Sequence, residues 1–211
     1  MNERRGRFVT LEGGDGTGKS TQQAALAALA SAAGWDTVSC REPGGTALGE
    51  RLRAALFASA TPPAPQAELL VFAAARAQLV HEVIRPALKR GALVLCDRFA
   101  DSSVAYQQYG RGLPAGLVGM ANAAATGGLR PDLTVLLDTE PAAALARSQQ
   151  GANYMEREQL AFHHRVREGY RELARAEPER WLVVDATLPV VAVTAAIWER
   201  LRLLLAPPTR A

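Results

Sequence analysis

The sequence predicts an α/β fold: a central five-stranded parallel sheet with helices on both faces. Short apolar runs alternate with longer helical patterns along all 211 residues. The runs are continuously apolar rather than polar on every second residue, the character of strands buried on both sides. Polar or charged residues follow them, as expected where ligand sites gather at the C-terminal ends of parallel strands.

The elements follow in order. RFVTLEG, DTVSCRE, ALVLCDR, LTVLLDT and RWLVVDA read as strands near residues 7–12, 36–41, 92–97, 133–138 and 181–185. KSTQQAALAALASAAG is a helical pattern closed by Gly34, and AELLVFAAARAQLVHEVIRPALKRG is a second one, interrupted by Pro86. EPAAALA should form a helix running from the fourth strand toward a lid. REQLAFHHRVREGYRELARA predicts an amphipathic helix with a solvated basic face, and its His163 and His164, like His81, read as helix-surface residues. VVAVTAAIWERLRLLLA is the last helical pattern. The Pro-rich ASATPPAPQAE reads as a loop before a helix. The polar RSQQGANYMER, with a glycine between two helical patterns, predicts a short lid at about 148–157. The chain 1–211 reads as one domain.

Composition narrows the class. At 48% hydrophobic and 21% charged residues the chain falls among ordinary globular proteins. A formal net charge of +3 permits an anionic ligand without calling for nucleic acid. All but Lys19 and Lys89 of the 24 basic residues are arginines, a skew that reads as a GC-rich genome. Cys40 and Cys96 each end an apolar run and read as reduced core residues, which suits a reducing compartment. No signal peptide or membrane span is expected, so the expectation is a cytoplasmic protein.

The stretch Gly13-Gly14-Asp15-Gly16-Thr17-Gly18-Lys19-Ser20 satisfies G-x-x-x-x-G-K-[ST], after a strand and at the start of a helix. The fold expected is therefore the three-layer P-loop NTPase type. Glycines there let backbone N–H groups converge on phosphate oxygens, and the helix N-terminus adds partial positive charge. Residues 13–20 with Thr21 are the expected ATP-binding set, Lys19 reaching the β- and γ-phosphates. Ser20 and Asp97, the acid that ends LVLCD, are the expected Mg²⁺ ligands. The loop alone says NTPase or kinase. No N-K-x-D follows a later strand, as guanine reading by a GTPase would need. A small-molecule kinase needs a second anion site built from arginines.

Arginines do recur at strand ends and loop starts, as in CREPGGT (Arg41) and CDRFADSS (Arg98), and Arg76 lies in LLVFAAARAQL. With FVTLEGGDGTGKSTQ, REPGGTALGERLR, LLVFAAARAQLV, DRFADSSVAYQQYGRGL, PDLTVLLDTEP and VVDAT in this order, the sequence closely resembles the thymidylate kinase family across nearly the whole chain. The resemblance implies transfer of the γ-phosphoryl group of ATP to dTMP with Mg²⁺, in a homodimer that involves neither nucleic acid nor membrane. It implies that Arg41 and Arg98 hold the acceptor phosphate, Arg98 near the transferred group. It implies that Phe72 stacks on thymine while Arg76, one turn on, donates to a carbonyl of the base. Gln107 would read the pyrimidine edge, Tyr106 close off the sugar 2′ position, and Ser103 touch substrate. Ser102 reads as a helix cap or secondary contact. Asp15, an acid inside a phosphate loop, would face away from ATP and accept from the acceptor 3′-hydroxyl. The acceptor phosphate is already largely dianionic at pH 7, so no general base is expected. Lys19, Arg98 and Arg147 are the expected catalytic cations.

The chain departs from the family pattern in two places. Gly16 stands where some members carry an arginine after the loop acid, and Asn153-Tyr154 stand where a DR pair is usual before the second lid helix. The lid offers Arg147 at its start and Arg157 at its end. Arg147 either stabilises the transferring group or stacks on adenine. Two alternatives remain beside the family reading: a kinase for another nucleoside monophosphate such as dUMP or CMP, and a nucleotide-binding regulator with weak hydrolysis.

Overall fold

A computed structural model describes residues 5–58, 61–147 and 154–205. Five strands, β1 (Arg7–Glu12), β2 (Thr37–Arg41), β3 (Leu93–Asp97), β4 (Leu133–Asp138) and β5 (Trp181–Asp185), form one parallel sheet in the order β2-β3-β1-β4-β5. Each lies within a residue of its expected position; the central β1, β3 and β4 are apolar runs buried along nearly all their length, while the edge strands β2 and β5 are only partly buried.

Alternation along the strands divides the core. Val9, Leu11, Leu93, Leu95, Leu133, Val135 and Leu137 face α1 (Lys19–Ala32) and α9 (Val190–Leu205), which supply Leu26, Ala30, Val193, Ile197 and Leu201. The opposite face carries Phe8, Val94, Cys96 and Leu136, packed against the other helices. These are α2 (Ala47–Phe57), α3 (Pro65–Leu79), α4 (Arg85–Lys89), α5 (Ala100–Ser103), α6 (Ala115–Thr126), α7 (Pro141–Arg147) and α8 (Leu160–Ala176). On that face, Glu12 is the sole charged residue of β1's inward row Phe8, Thr10, Glu12.

The long pattern broken by Pro86 is two α-helices joined by a π-helical turn, Val80–Ile84. Proline cannot donate to the i−4 carbonyl, and widening the turn before it lets the chain continue as helix. A second π turn, Val104–Gly110, continues α5 and aims Tyr106 and Gln107 inward. Nothing in the hydrophobic period announces it.

Helix α8 corrects one expectation. Its buried stripe is Phe162, His163, Val166, Gly169, Tyr170 and Ala174, so His163 lies inside, not on the surface; its Nε2 has no hydrogen-bond partner among the described residues. His81 and His164 are exposed as expected.

Candidate active site

Glycine geometry builds the loop after β1. Gly13 and Gly18 have φ of 136° and 90°, and a Cβ on Gly13 would lie 2.6 Å from the Leu137 carbonyl oxygen. Gly18 caps α1, whose first residue is Lys19. The buried Lys19 ammonium donates to the carbonyls of Gly13 at 3.2 Å and Gly14 at 2.6 Å. Burial, then the charge of Arg98, pushes its pKa down to about 8. Thr17 Oγ1 donates to Gly14 O at 2.9 Å, while Ser20 and Thr21 are exposed on the first turn.

Ser20 Oγ donates to Asp97 Oδ2 at 2.9 Å, which joins the loop helix to the end of β3. A hydroxyl and a carboxylate side by side are hard oxygen donors of the kind Mg²⁺ takes. Mg²⁺ is usually held by one or two protein oxygens with phosphates and water, so the pair fits without a larger acidic cluster.

Beside the loop opens a cavity of about 150 Å³. Asp15, Phe72, Arg76, Arg98, Ser103, Tyr106 and Gln107, all expected from the sequence, line it. Arg98 is central. It is the one non-glycine residue with positive φ, 71°, among those described. Its Nη2 donates to Asp15 Oδ1 at 2.7 Å and its Nη1 to Gly13 O at 2.9 Å, and its guanidinium lies 5.0 Å from the Tyr106 ring centre. Burial alone would raise the Asp15 carboxyl, but Arg98 and then Lys19 outweigh it and hold it below the usual range.

The other lining residues are held from behind. Arg76 is fully buried; Nε and Nη2 meet Glu42 Oε2 at 2.9 and 2.7 Å, Nη1 donates to Ser103 Oγ and Asn122 Oδ1, and Nη2 also donates to Phe99 O. Every nitrogen of the guanidinium is thus engaged inside the protein. Gln107 Nε2 donates to the buried Glu68, which also accepts from Arg111 and from Tyr154 Oη at 2.9 Å. Tyr154, one of the two residues that depart from the DR pattern, thereby ties residue 154 to the cavity wall. Two buried oxygens on the lining, Tyr106 Oη and Glu42 Oε1, have no partner among the described residues.

Arg41 does not line the cavity. It is half-exposed and donates to both Glu50 oxygens at 3.0 and 3.1 Å. Arg53, which the sequence reading passed over, does line it, with its guanidinium 5.0 Å from the Phe57 ring centre. Burial and then the positive charge of Arg41, with Arg98 behind, lower the Arg53 pKa, so three cations converge on this end of the cavity. Such crowding is relieved by a dianion. Arg53 lies in the motif REPGGTALGERLR, and its spacing from Phe57 placed both on one helix face. Glu12, buried at the end of β1, was passed over too. Arg147 Nη1 donates to the Ala186 carbonyl at 2.9 Å, on the turn between β5 and α9. Arg157 is exposed, and the rest of the expected lid, residues 148–153, lies outside the described residues.

Sheet order, phosphate loop and a cationic cavity beside it define the class: a P-loop phosphotransferase. Sequence comparison gives the particular family. The thymidylate kinase family profile matches residues 11–197. The thymidylate kinase of Deinococcus radiodurans is 52% identical over 195 residues, 92% of this chain and 95% of that protein. That of a Synechococcus species is 52% identical over 203 residues, 95% and 98%. The crystal structure of thymidylate kinase from Ehrlichia chaffeensis superimposes with a TM-score of 0.77 at 34% identity, covering 93% of this chain and 98% of that one. The chain belongs to the thymidylate kinase family.

Proposed function

We propose that the P-loop and the cavity beside it hold ATP and dTMP for direct in-line transfer, the two halves meeting at the Asp15–Arg98 pair. The reaction is that of the family: the γ-phosphoryl group of ATP passes to a phosphate oxygen of dTMP, giving dTDP and ADP. One observation carries the division. Asp15 comes from the loop and Arg98 from the end of β3, yet they bond at 2.7 Å on the cavity wall. A carboxylate held there points its charge away from the triphosphate and toward the acceptor sugar.

The acceptor dianion attacks without a base, so the protein's task is to hold two polyanions in line. Arg98 and Arg53 grip the acceptor phosphate, with Arg41 behind them, since only the first two line the cavity. Lys19 and the loop N–H groups hold the donor phosphates. Ser20 and Asp97 would hold Mg²⁺, which would supply positive charge to the donor phosphates. Phe72 stacks on thymine. Arg76 supports that wall from behind, and its Nη1 exchanges Asn122 Oδ1 for a base carbonyl while keeping Ser103. Gln107 reads the pyrimidine edge, and the unpartnered Tyr106 hydroxyl meets the sugar. The bond from Arg147 to the Ala186 carbonyl favours the adenine-stacking role.

The chain acts as one domain in the cytoplasm, with residues 148–157 as its lid. Its partner is a second copy: Leu70 and Met120 stand exposed on α3 and α6, which pack side by side. Light scattering on the purified protein should give twice the chain mass. An ADP-release assay with ATP–Mg²⁺ and each nucleoside monophosphate in turn tests the whole reading. Turnover should follow dTMP, with dUMP and CMP well below it. Phosphate release from ATP unaffected by any acceptor would overturn it.

A further inference from the structure

We infer that Glu12 is a positioning residue for Arg98, acting through the hydroxyl pair Ser102–Tyr170. The inference rests on the reading that Arg98 holds the transferring group. Glu12 is fully buried beneath the loop. Its Oε1 accepts the Phe99 backbone N–H at 2.8 Å, and its Oε2 accepts from Ser102 Oγ at 2.6 Å and Tyr170 Oη at 2.8 Å. Those hydroxyls are themselves 2.8 Å apart, and Arg98 Nη1 lies 3.3 Å from Tyr170 Oη and 3.5 Å from Ser102 Oγ.

The direction of these bonds depends on the carboxylate. A hydroxyl has one proton to give. An ionised Glu12 takes both protons, so both hydroxyls turn lone pairs toward Arg98 Nη1, a donor that can only use acceptors. A neutral group in its place must donate one proton into the pair, and that hydroxyl then has its own proton free to point at the guanidinium. The same carboxylate fixes the Phe99 N–H next to Arg98, whose backbone sits at φ 71° with its N–H on the Leu11 carbonyl. Glu12 therefore holds Arg98 at both ends, main chain and side chain, without touching substrate.

The groups around Glu12 are Asp101 and Ser102 from α5, Arg98 before it, Tyr170 from α8, and the Lys19 ammonium on α1 and the Tyr106 hydroxyl on the π turn within electrostatic reach. Asp101 is occupied by Arg180 at 2.6 Å. Burial first, then Asp101, push the Glu12 carboxyl up to about 7 against the opposing bonds and Arg98. Its ionisation is thus poised near neutral pH, and the aligned network belongs to the ionised form above that value.

The test is kcat and both KM values against pH for wild type, Glu12→Gln and Tyr170→Phe, with Arg98→Ala as the reference. Wild type should lose kcat as pH falls through about 7, above the limb near 6 that dTMP's own phosphate gives to every form. Glu12→Gln should lower kcat by roughly 10- to 100-fold, the scale of a misplaced catalytic group, keep the KM for ATP within about threefold, and lose the upper limb. Tyr170→Phe removes one bond that lowers the Glu12 pKa, so its limb should move to higher pH. This near-isosteric variant decides the matter if Glu12→Gln does not fold. A limb unmoved in Tyr170→Phe, or a wild-type kcat in Glu12→Gln, overturns the inference. If Arg98→Ala is crippled while both other variants behave as wild type, the Arg98 reading stands and only the Glu12 role falls. If Arg98→Ala turns over normally, both fall.

Discussion

The acceptor half of the site and its donor edge are built in opposite ways. Around the cavity, Arg76 and Gln107 are buried and Arg98 is largely covered, and all three are held by partners from the phosphate loop, α3, α5, α6, the second π turn and α8. At the proposed donor edge, Arg147 is exposed and, among the described residues, bonds to a backbone carbonyl. Ser20 and Thr21 likewise lie open on the first turn of α1. A network in which every donor is engaged has few alternative arrangements. A single exposed arginine keeps many until ligand removes them. On the proposed assignment, selection of the monophosphate would belong to a surface formed in advance, and grip on the nucleotide base of ATP to one formed on binding.

Substitutions can break that contrast. The largest effect should come from Arg98→Ala, which removes the cation proposed for the transfer point. Here kcat should fall by about 10³-fold or more, the scale of a transition-state arginine, with the KM for ATP little changed in steady-state kinetics. Next is Arg76→Ala. It leaves Glu42 buried without its partner, so urea unfolding should show a loss of roughly 3–5 kcal/mol alongside weakened use of dTMP. Stability near wild type would mean that the acceptor wall is looser than its bonds suggest. Asp15→Asn should reduce kcat/KM for dTMP by about 1–3 kcal/mol while equilibrium binding of an ATP analogue holds. The smallest effect is expected at the donor edge. Arg147→Ala should raise the KM for ATP several-fold, about 1 kcal/mol for a lost cation–π contact, and leave kcat within a few-fold. A large fall in kcat there would make Arg147 the transfer-point arginine and erase the contrast.

The same division governs what could be read from sequence. The strands, the phosphate loop and Arg98 are local patterns: an apolar run, a glycine spacing, a charge at a strand end. They were legible because each is dictated within about ten residues. Glu68 was not. Its partners Arg111 and Tyr154 come from 43 and 86 residues away, and no local period ties them together. The π turn at Val104–Gly110 was hidden because its residues suit an ordinary helix. Two misses did carry a signal. His163 follows the stripe of Phe162, Val166 and Tyr170, and an i, i+3/i+4 count places it inside. Glu12 shares its strand face with Phe8 and Thr10, and a carboxylate in an inward row must find donors or change its pKa. Arg41 shows the converse: a motif arginine marks the region, while Glu50 decides which way it faces.

The most direct test of a ready-made acceptor half is calorimetric titration of the protein with dTMP, alone and with a non-hydrolysable ATP analogue. The account predicts binding in both, with affinities within a few-fold of each other and weakened in Asp15→Asn. Binding of dTMP only once the analogue is present would contradict it.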